Sequence, residues 1–117
     1  MTVFSADVRV RECPSWTVTL YISGCIAEIR ALLAREAAER GACWSVEPTE
    51  FIYSGGREQG VVVRRIAYAR FPSSADEALR DMVVLGQRIM EATGQGSFSV
   101  IGPEKSVFVS RRLGDAE

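Results

Sequence analysis

Hydrophobic and polar positions along this chain change their period several times, and each change marks an element. From Trp16 to Ser23 the period is two: Val18, Leu20 and Ile22 share one face, and Thr17, Thr19 and Tyr21 share the other. These β-branched and aromatic types suit a pleated strand. After Ser23-Gly24 the spacing becomes helical, with Ile26, Ile29, Leu33 and Ala37 on one stripe and Leu32 beside them. Glu28, Arg30, Arg35, Glu36, Glu39 and Arg40 fall mostly opposite, and Gly41 is suited to the left-handed conformation that ends a helix. Cys43 to Tyr53 reads as a second strand interrupted at Pro48. Proline lacks the ladder donor, which predicts a sheet edge or a bulge there. Ser54 to Gly60 reads as a glycine-rich connection and Val61 to Phe71 as a third strand. The run Val61-Val62-Val63 followed by Ile66 breaks strict alternation, which predicts a bulge or burial on both faces.

Pro72-Ser73 stops that strand. Ser74-Ala75-Asp76-Glu77 then has the spacing of a capping box. The helix it opens runs to Thr93, with Leu79, Met82, Val83, Gly86, Ile89 and Met90 as its apolar stripe and Gly94 as its stop. Val84 falls among Arg80, Arg88 and Glu91 on the outer side. Ser97 to Ile101 predicts a fourth strand, Gly102 to Lys105 a turn, and Ser106 to Arg112 a fifth strand. At the other end, Val3 to Glu12 alternates weakly, with Phe4, Ala6, Val8 and Val10 against Ser5, Asp7, Arg9 and Arg11, and predicts an edge strand. The order strand, helix, strand, strand, helix, strand is the split pattern of a ferredoxin-like two-layer α+β sandwich. Two helices cover one face of an antiparallel sheet, with an extra strand at the termini. One domain is expected over residues 1–117, its core at about 16–112. Right-handed crossovers put the first and third core strands in the centre.

Composition narrows the chemistry. The chain contains no histidine, so a Ser-His-Asp triad within it is impossible. The net charge of −1 speaks against a general nucleic-acid surface, although local basic patches remain compatible with it. Thirteen of the fourteen basic residues are arginine. Cys13, Cys25 and Cys43 are odd in number and widely spaced, unlike a zinc knuckle or a redox pair, which predicts reduced thiols. No metal and no cofactor are implied. No apolar run approaches the ~18 residues of a membrane span. The first residues lack the basic start and apolar stretch of a signal peptide, so a cytoplasmic protein without a membrane partner is expected.

Helices on one side leave the other face of the sheet to be wet, covered or used. Thr17, Thr19, Tyr21, Ser97 and Ser99 would lie on it, with Tyr53 and Tyr68 as possible additions. Burial of that face in a homo-oligomer is one solution. The other is a binding site built from the face and the 54–60 loop, with Glu47, Thr49, Tyr53, Gly55, Gly56, Glu58, Tyr68 and Arg70 as candidate binding residues. Glycines let backbone amides approach an anion. The loop nevertheless leads into a strand and lacks the Gly-Lys-Ser/Thr ending of a phosphate loop, so a hairpin connection explains it as well. Glu47, Glu50 and Glu58 would supply acid and base groups, or be solvated loop charge. Arg64, Arg65 and Arg70 would form an anion site with Arg111 and Arg112 if the third and fifth strands are neighbours. Tyr21, Tyr53, Tyr68, Phe98 and Phe108 lack the aromatic-glycine signature of an RNA-binding sheet. Cys25 opens a helix, where the dipole favours a thiolate, but no histidine base accompanies it.

The segments Val46-Glu47-Pro48-Thr49-Glu50-Phe51-Ile52-Tyr53-Ser54-Gly55-Gly56, Ala67-Tyr68-Ala69-Arg70-Phe71-Pro72 and Gly94-Gln95-Gly96-Ser97 together resemble a group of short uncharacterised bacterial and phage proteins. The resemblance spans Trp16 to Arg112 and implies no activity and no functional residues. The function expected from sequence is a non-enzymatic protein-binding or regulatory module acting as a homo-oligomer, of the kind a phage accessory protein represents. The alternative is a small enzyme or small-ligand-binding protein using the open sheet face and the 54–60 loop, and a nucleic-acid binder ranks third.

Overall fold

The computed structural model describes residues 6–112 and Gly114. Its strands are β1 (Thr17–Ser23), β2 (Ser45–Tyr53), β3 (Gly56–Ile66), β4 (Ser97–Ile101) and β5 (Ser106–Ser110), with helices α1 (Ile26–Arg40) after β1 and α2 (Ala75–Thr93) after β3. The sheet is antiparallel throughout, in the order β2-β3-β1-β4-β5. This is the expected ferredoxin-like sandwich, with β1 and β3 inside and β5 as the additional strand.

Both helices lie on the face carrying Val18, Leu20 and Ile22, all at most 1% exposed. Val61 and Val63 of β3 and Phe98 and Val100 of β4 join them, under Ile29, Leu33, Met82, Leu85 and Ile89. Helix α2 begins with a complete capping box. The Ser74 hydroxyl accepts from the Glu77 N–H, and the Glu77 carboxylate accepts from the Ser74 N–H, both at 3.1 Å. Gly86 lets α2 approach the sheet closely, since a Cβ there would stand 2.4 Å from the Phe98 ring. Asp81 on α2 ties the layers together, accepting from Arg65 of β3 at 3.2 Å and lying 3.8 Å from Arg40 at the end of α1.

Three sequence expectations change, and one pair of alternatives is decided. Residues 8–16 form no regular element, and Val8 and Val10 are exposed. Their alternation has no buried face to serve, so no strand forms within 6–12; Val3, Phe4 and Ser5 lie outside the described residues. The 54–60 segment is not a loop. The hairpin turn is Ser54-Gly55 alone, with Gly55 at φ 100°, and Tyr53 already pairs with Gly56. β3 therefore starts and ends five residues earlier than periodicity suggests, its last partner being Thr17 of β1 opposite Ile66. Pairing along all of β2 outweighs the weak strand preference of Gly56 and Gly60. The valine run in β3 reflects burial on both faces, Val62 being 5% exposed although it points away from the helices. Finally, Glu36 belongs to the buried stripe Ile29, Leu32, Leu33, Glu36 rather than to the outer face. It lies one turn beyond Leu32, and Arg88 of α2 reaches over to bond its carboxylate at 2.8 Å.

Pro48 is on the edge strand β2, as its missing donor requires. The third and fifth strands are separated by β1 and β4. The arginines expected to converge are thus dispersed: Arg64 pairs with Glu47 on the open face, and Arg65 pairs with Asp81 on the helix face.

Candidate functional site

The open face is set by register. Thr17, Thr19, Tyr21 and Ser23 of β1 stand beside Ile66, Arg64, Val62 and Gly60 of β3, and Thr49, Phe51 and Tyr53 of β2 lie outside Gly60, Glu58 and Gly56. On the other side of β1, Ser99 and Ile101 of β4 lie beside Phe108 and Ser106 of β5. The face mixes hydroxyl side chains with the apolar Val62, Ile66 and Ile101, and carries aromatic rings at intervals.

Two hollows meet at the C-terminal end of β1. One lies on the open face and has a volume of 200 Å³; its floor is Ser23, Ser97 and Ser99 and its walls are Tyr21, Phe51 and Phe108, with Glu58 at the rim. The other, of 490 Å³, lies where the strand turns into α1 and is bordered by Gly24, Cys25, Pro48, Gln59, Gly60 and Gln95. Ser23 and Glu58 border both. Small-molecule sites commonly occupy ~300–1,000 Å³ and combine apolar walls with a few polar groups.

Two glycines make this arrangement possible. Gly24 has φ 143°, a conformation open to glycine, and from it donates its N–H to the Gln59 carbonyl at 3.0 Å. That bond holds the β1–α1 turn against β3. At Gly60 a Cβ would stand 2.2 Å from the Phe51 ring and 2.7 Å from the Ile22 carbonyl oxygen. The bare backbone is what allows Phe51 to lie over β3 and wall the open-face hollow. Helix α1 begins next to the second hollow with Cys25 as its N-cap, and the Cys25 side chain makes no capping hydrogen bond. The first-turn amides and the helix dipole favour negative charge at this end.

Of the residues expected from sequence, Glu58 lines the site. Glu47 and Thr49 share its face, but Glu47 is committed to Arg64, whose pKa rises in response to that hydrogen bond. Tyr53, Gly55 and Gly56 form the hairpin tip, with the Tyr53 ring folded over Gly56. Tyr68 and Arg70 lie past the far end of β3. Tyr68 meets Phe71 edge-on at 5.6 Å, and Arg70 sits 5.9 Å above the same ring. Eleven residues of strand at ~3.3 Å each keep them remote from the β1 end. Sequence reasoning placed Tyr21, Ser97 and Ser99 together on the open face but did not bring Cys25 and Phe108 to them; it missed Ser23, Phe51 and Gln95. Among the described residues no cluster of three or more potential ligands is arranged to hold a metal ion, and no helix is long and apolar enough to cross a membrane.

No family model matches the chain, and no curated protein matches it. Its fold is similar to that of solved structures. A phage SAM lyase in its apo state superposes with a TM-score of 0.66 at 13% identity, covering 91% of this chain and 98% of the other. A phage SAM lyase in complex with S-methyl-5′-thioadenosine superposes at 0.61 and 12% identity, covering 91% and 96%. A nitrogen regulatory PII-like protein from Thiomonas intermedia K12, bound to ADP, AMP and bicarbonate, gives 0.43 at 15% identity over 85% and 97%, a score too low to carry an argument. The expectation of a non-enzymatic protein-binding module, and with it the leaning away from an enzyme, is corrected by these likenesses. The two structures that share the fold across nine-tenths of the chain are of an enzyme, one of them holding a nucleoside.

Proposed function

We propose that this chain is a small enzyme that binds a sulfonium nucleoside such as S-adenosylmethionine at the end of β1 and cleaves it to S-methyl-5′-thioadenosine. The observation that carries the reading is the pair of adjoining hollows meeting at Ser23 and Glu58. The fold likeness to a phage SAM lyase bound to S-methyl-5′-thioadenosine supports it.

The chemistry suits a chain without histidine. The substrate's own carboxylate oxygen attacks its γ-carbon, a new C–O bond closes a five-membered lactone, and the S–C bond breaks. The electron pair of that bond passes to sulfur, which leaves as a neutral thioether. Water is not consumed and no proton moves, so no general base is required. The protein's part is then to hold the substrate in the conformation from which the carboxylate attacks. The aromatic walls at Tyr21, Phe51 and Phe108 offer stacking surface for the adenine. The best role for Glu58 is to hold the substrate's ammonium group. That charge persists through the transition state, whereas the charge on sulfur disappears, so a carboxylate spent on sulfur alone would favour the ground state.

A homo-oligomer is part of this proposal. It is supported by the exposed apolar side chains Ile66, Ile101 and Phe108 on the open face.

The test is incubation of the purified chain with S-adenosylmethionine, with S-methyl-5′-thioadenosine followed by liquid chromatography and mass spectrometry. Release matched by substrate loss is expected. Glu58→Gln is expected to lower kcat/KM at least tenfold, about 1.4 kcal/mol of transition-state stabilisation. No product from the wild-type chain, together with no calorimetric binding of S-methyl-5′-thioadenosine, overturns the proposal.

A further inference from the structure

The hollow at the start of α1 is flanked by two side chains of different chemistry. Carried on to Cys25, the registers that pair Ser23 with Gly60 and Tyr21 with Ser99 set Glu58 on one side of the β1 end and Gln95 on the other. The backbone of Gln95 is fixed. Its N–H bonds the Met90 carbonyl at 3.0 Å, just beyond the left-handed Gly94 that ends α2. Its side chain turns toward β1, with Nε2 3.8 Å from the place a Cβ on Gly24 would take. Gln95 is half-buried, and its carboxamide makes no hydrogen bond with any described residue.

Charge then divides the amino-acid end of the substrate. Adenine on the aromatic walls of the open-face hollow leaves that end to the second hollow. Among the described residues bordering the two hollows, Glu58 is the one charged group. The ammonium goes to Glu58, which repels the carboxylate toward Gly24, Cys25 and Gln95, where the start of α1 favours negative charge. Glu58 and Gln95 stand on strands that flank β1, and two strand spacings amount to about 10 Å. Two long side chains narrow that span to the size of an amino-acid group. Arg112 is a cation close by, donating to the Ser97 hydroxyl at 3.5 Å, but it borders neither hollow.

We infer that Gln95 holds the substrate's carboxylate through a neutral N–H donor while Glu58 holds the ammonium. This rests on the lyase reading above. A neutral donor suits this nucleophile. As the carboxylate oxygen bonds the γ-carbon and the S–C electron pair leaves on sulfur, the carboxylate loses its negative charge. A guanidinium would therefore bind the ground state more tightly than the transition state. An amide orients the oxygen with a weaker bond that costs less to relax.

Turnover and calorimetry on the full chain test it. Gln95→Glu sets a second carboxylate against the substrate's own and is expected to lower kcat/KM for S-adenosylmethionine about tenfold or more. Its affinity for S-methyl-5′-thioadenosine, which has no carboxylate, is expected to be unchanged. Decarboxylated S-adenosylmethionine keeps the ammonium, and is expected to bind Gln95→Glu at least as tightly as the wild type. Gln95→Met, neutral and of similar length, is expected to show the same selective loss, and guards against misfolding of the charged variant. Turnover unchanged in both variants overturns the inference. So does a parallel loss of both nucleosides, which is what a merely structural role would give. Arg112→Gln is expected to leave turnover of S-adenosylmethionine unchanged; a selective loss there assigns the carboxylate to Arg112 and overturns the role of Gln95. A wild-type chain that neither releases nor binds S-methyl-5′-thioadenosine overturns the lyase reading itself, and this inference with it.

Discussion

Individual residues in this protein act mainly through the space they leave or the charge they bury. At Gly86 a methyl group would enter the Phe98 ring at 2.4 Å. Gly86→Ala is therefore expected to lower the free energy of unfolding by about 1–3 kcal/mol, the usual cost of overpacking, as read from urea denaturation. At Gly60 the obstacle includes the Ile22 carbonyl oxygen at 2.7 Å, which cannot rotate away. Gly60→Ala is expected to weaken binding of S-methyl-5′-thioadenosine as well as stability, because the Phe51 wall must shift; calorimetry with that nucleoside checks it. Glu36 is 7% exposed while Arg88 is half-exposed, so the pair is a buried carboxylate under a solvated guanidinium. Arg88→Leu leaves that carboxylate without its counter-charge and is expected to lower the Tm. Glu36→Met/Arg88→Leu is expected to recover most of the loss, since an apolar pair has no charge to strand.

At the scale of elements, ends and edges matter most. The capping box of α2 is complete, and Ser74→Ala is expected to cost about 1 kcal/mol in urea denaturation. The Glu77 carboxyl is held below the usual carboxylate range by the Ser74 backbone N–H and then by the Ser74 side chain. A depressed folded pKa means the cap stabilises fully above the unfolded value of about 4.3 and is lost as pH falls through the folded value. Glu77→Gln is therefore expected to flatten the acid limb of the stability profile, measured by urea midpoints across that range. The capping box, both helices, β1 and β4 were legible because each rests on local spacing. The start of β3 was not, because Gly56 and Gly60 look like loop residues until β2 is there to pair with them. The strand predicted at the N-terminus failed in the described residues for the converse reason: the alternation is present but no neighbour buries it.

At the scale of the whole molecule, the site is assembled from separated parts. Ser23, Gly24 and Cys25 come from the β1–α1 turn, Phe51 and Glu58 from the β2–β3 hairpin, and Gln95, Ser97 and Ser99 from the start of β4. Sequence reasoning placed a site on the open sheet face and the 54–60 segment, and of its eight candidate binding residues Glu58 lines the hollows. Tyr68 and Arg70 were grouped with it as residues of a third strand expected to reach Phe71, but β3 ends at Ile66 and its length carries them far from Glu58. What the sequence determined by itself was the alternation of periods, the helix caps, the restriction of Pro48 to an edge or a bulge and the exclusion of histidine chemistry. These follow from local sterics, hydrogen bonding and side-chain inventory. Only the tertiary structure decided that β3 begins at Gly56, that Glu36 is buried, and that Ser23 and Glu58 join two hollows. Those outcomes depend on strand order and register, which are set by long-range pairing and by burial against partners distant in the chain.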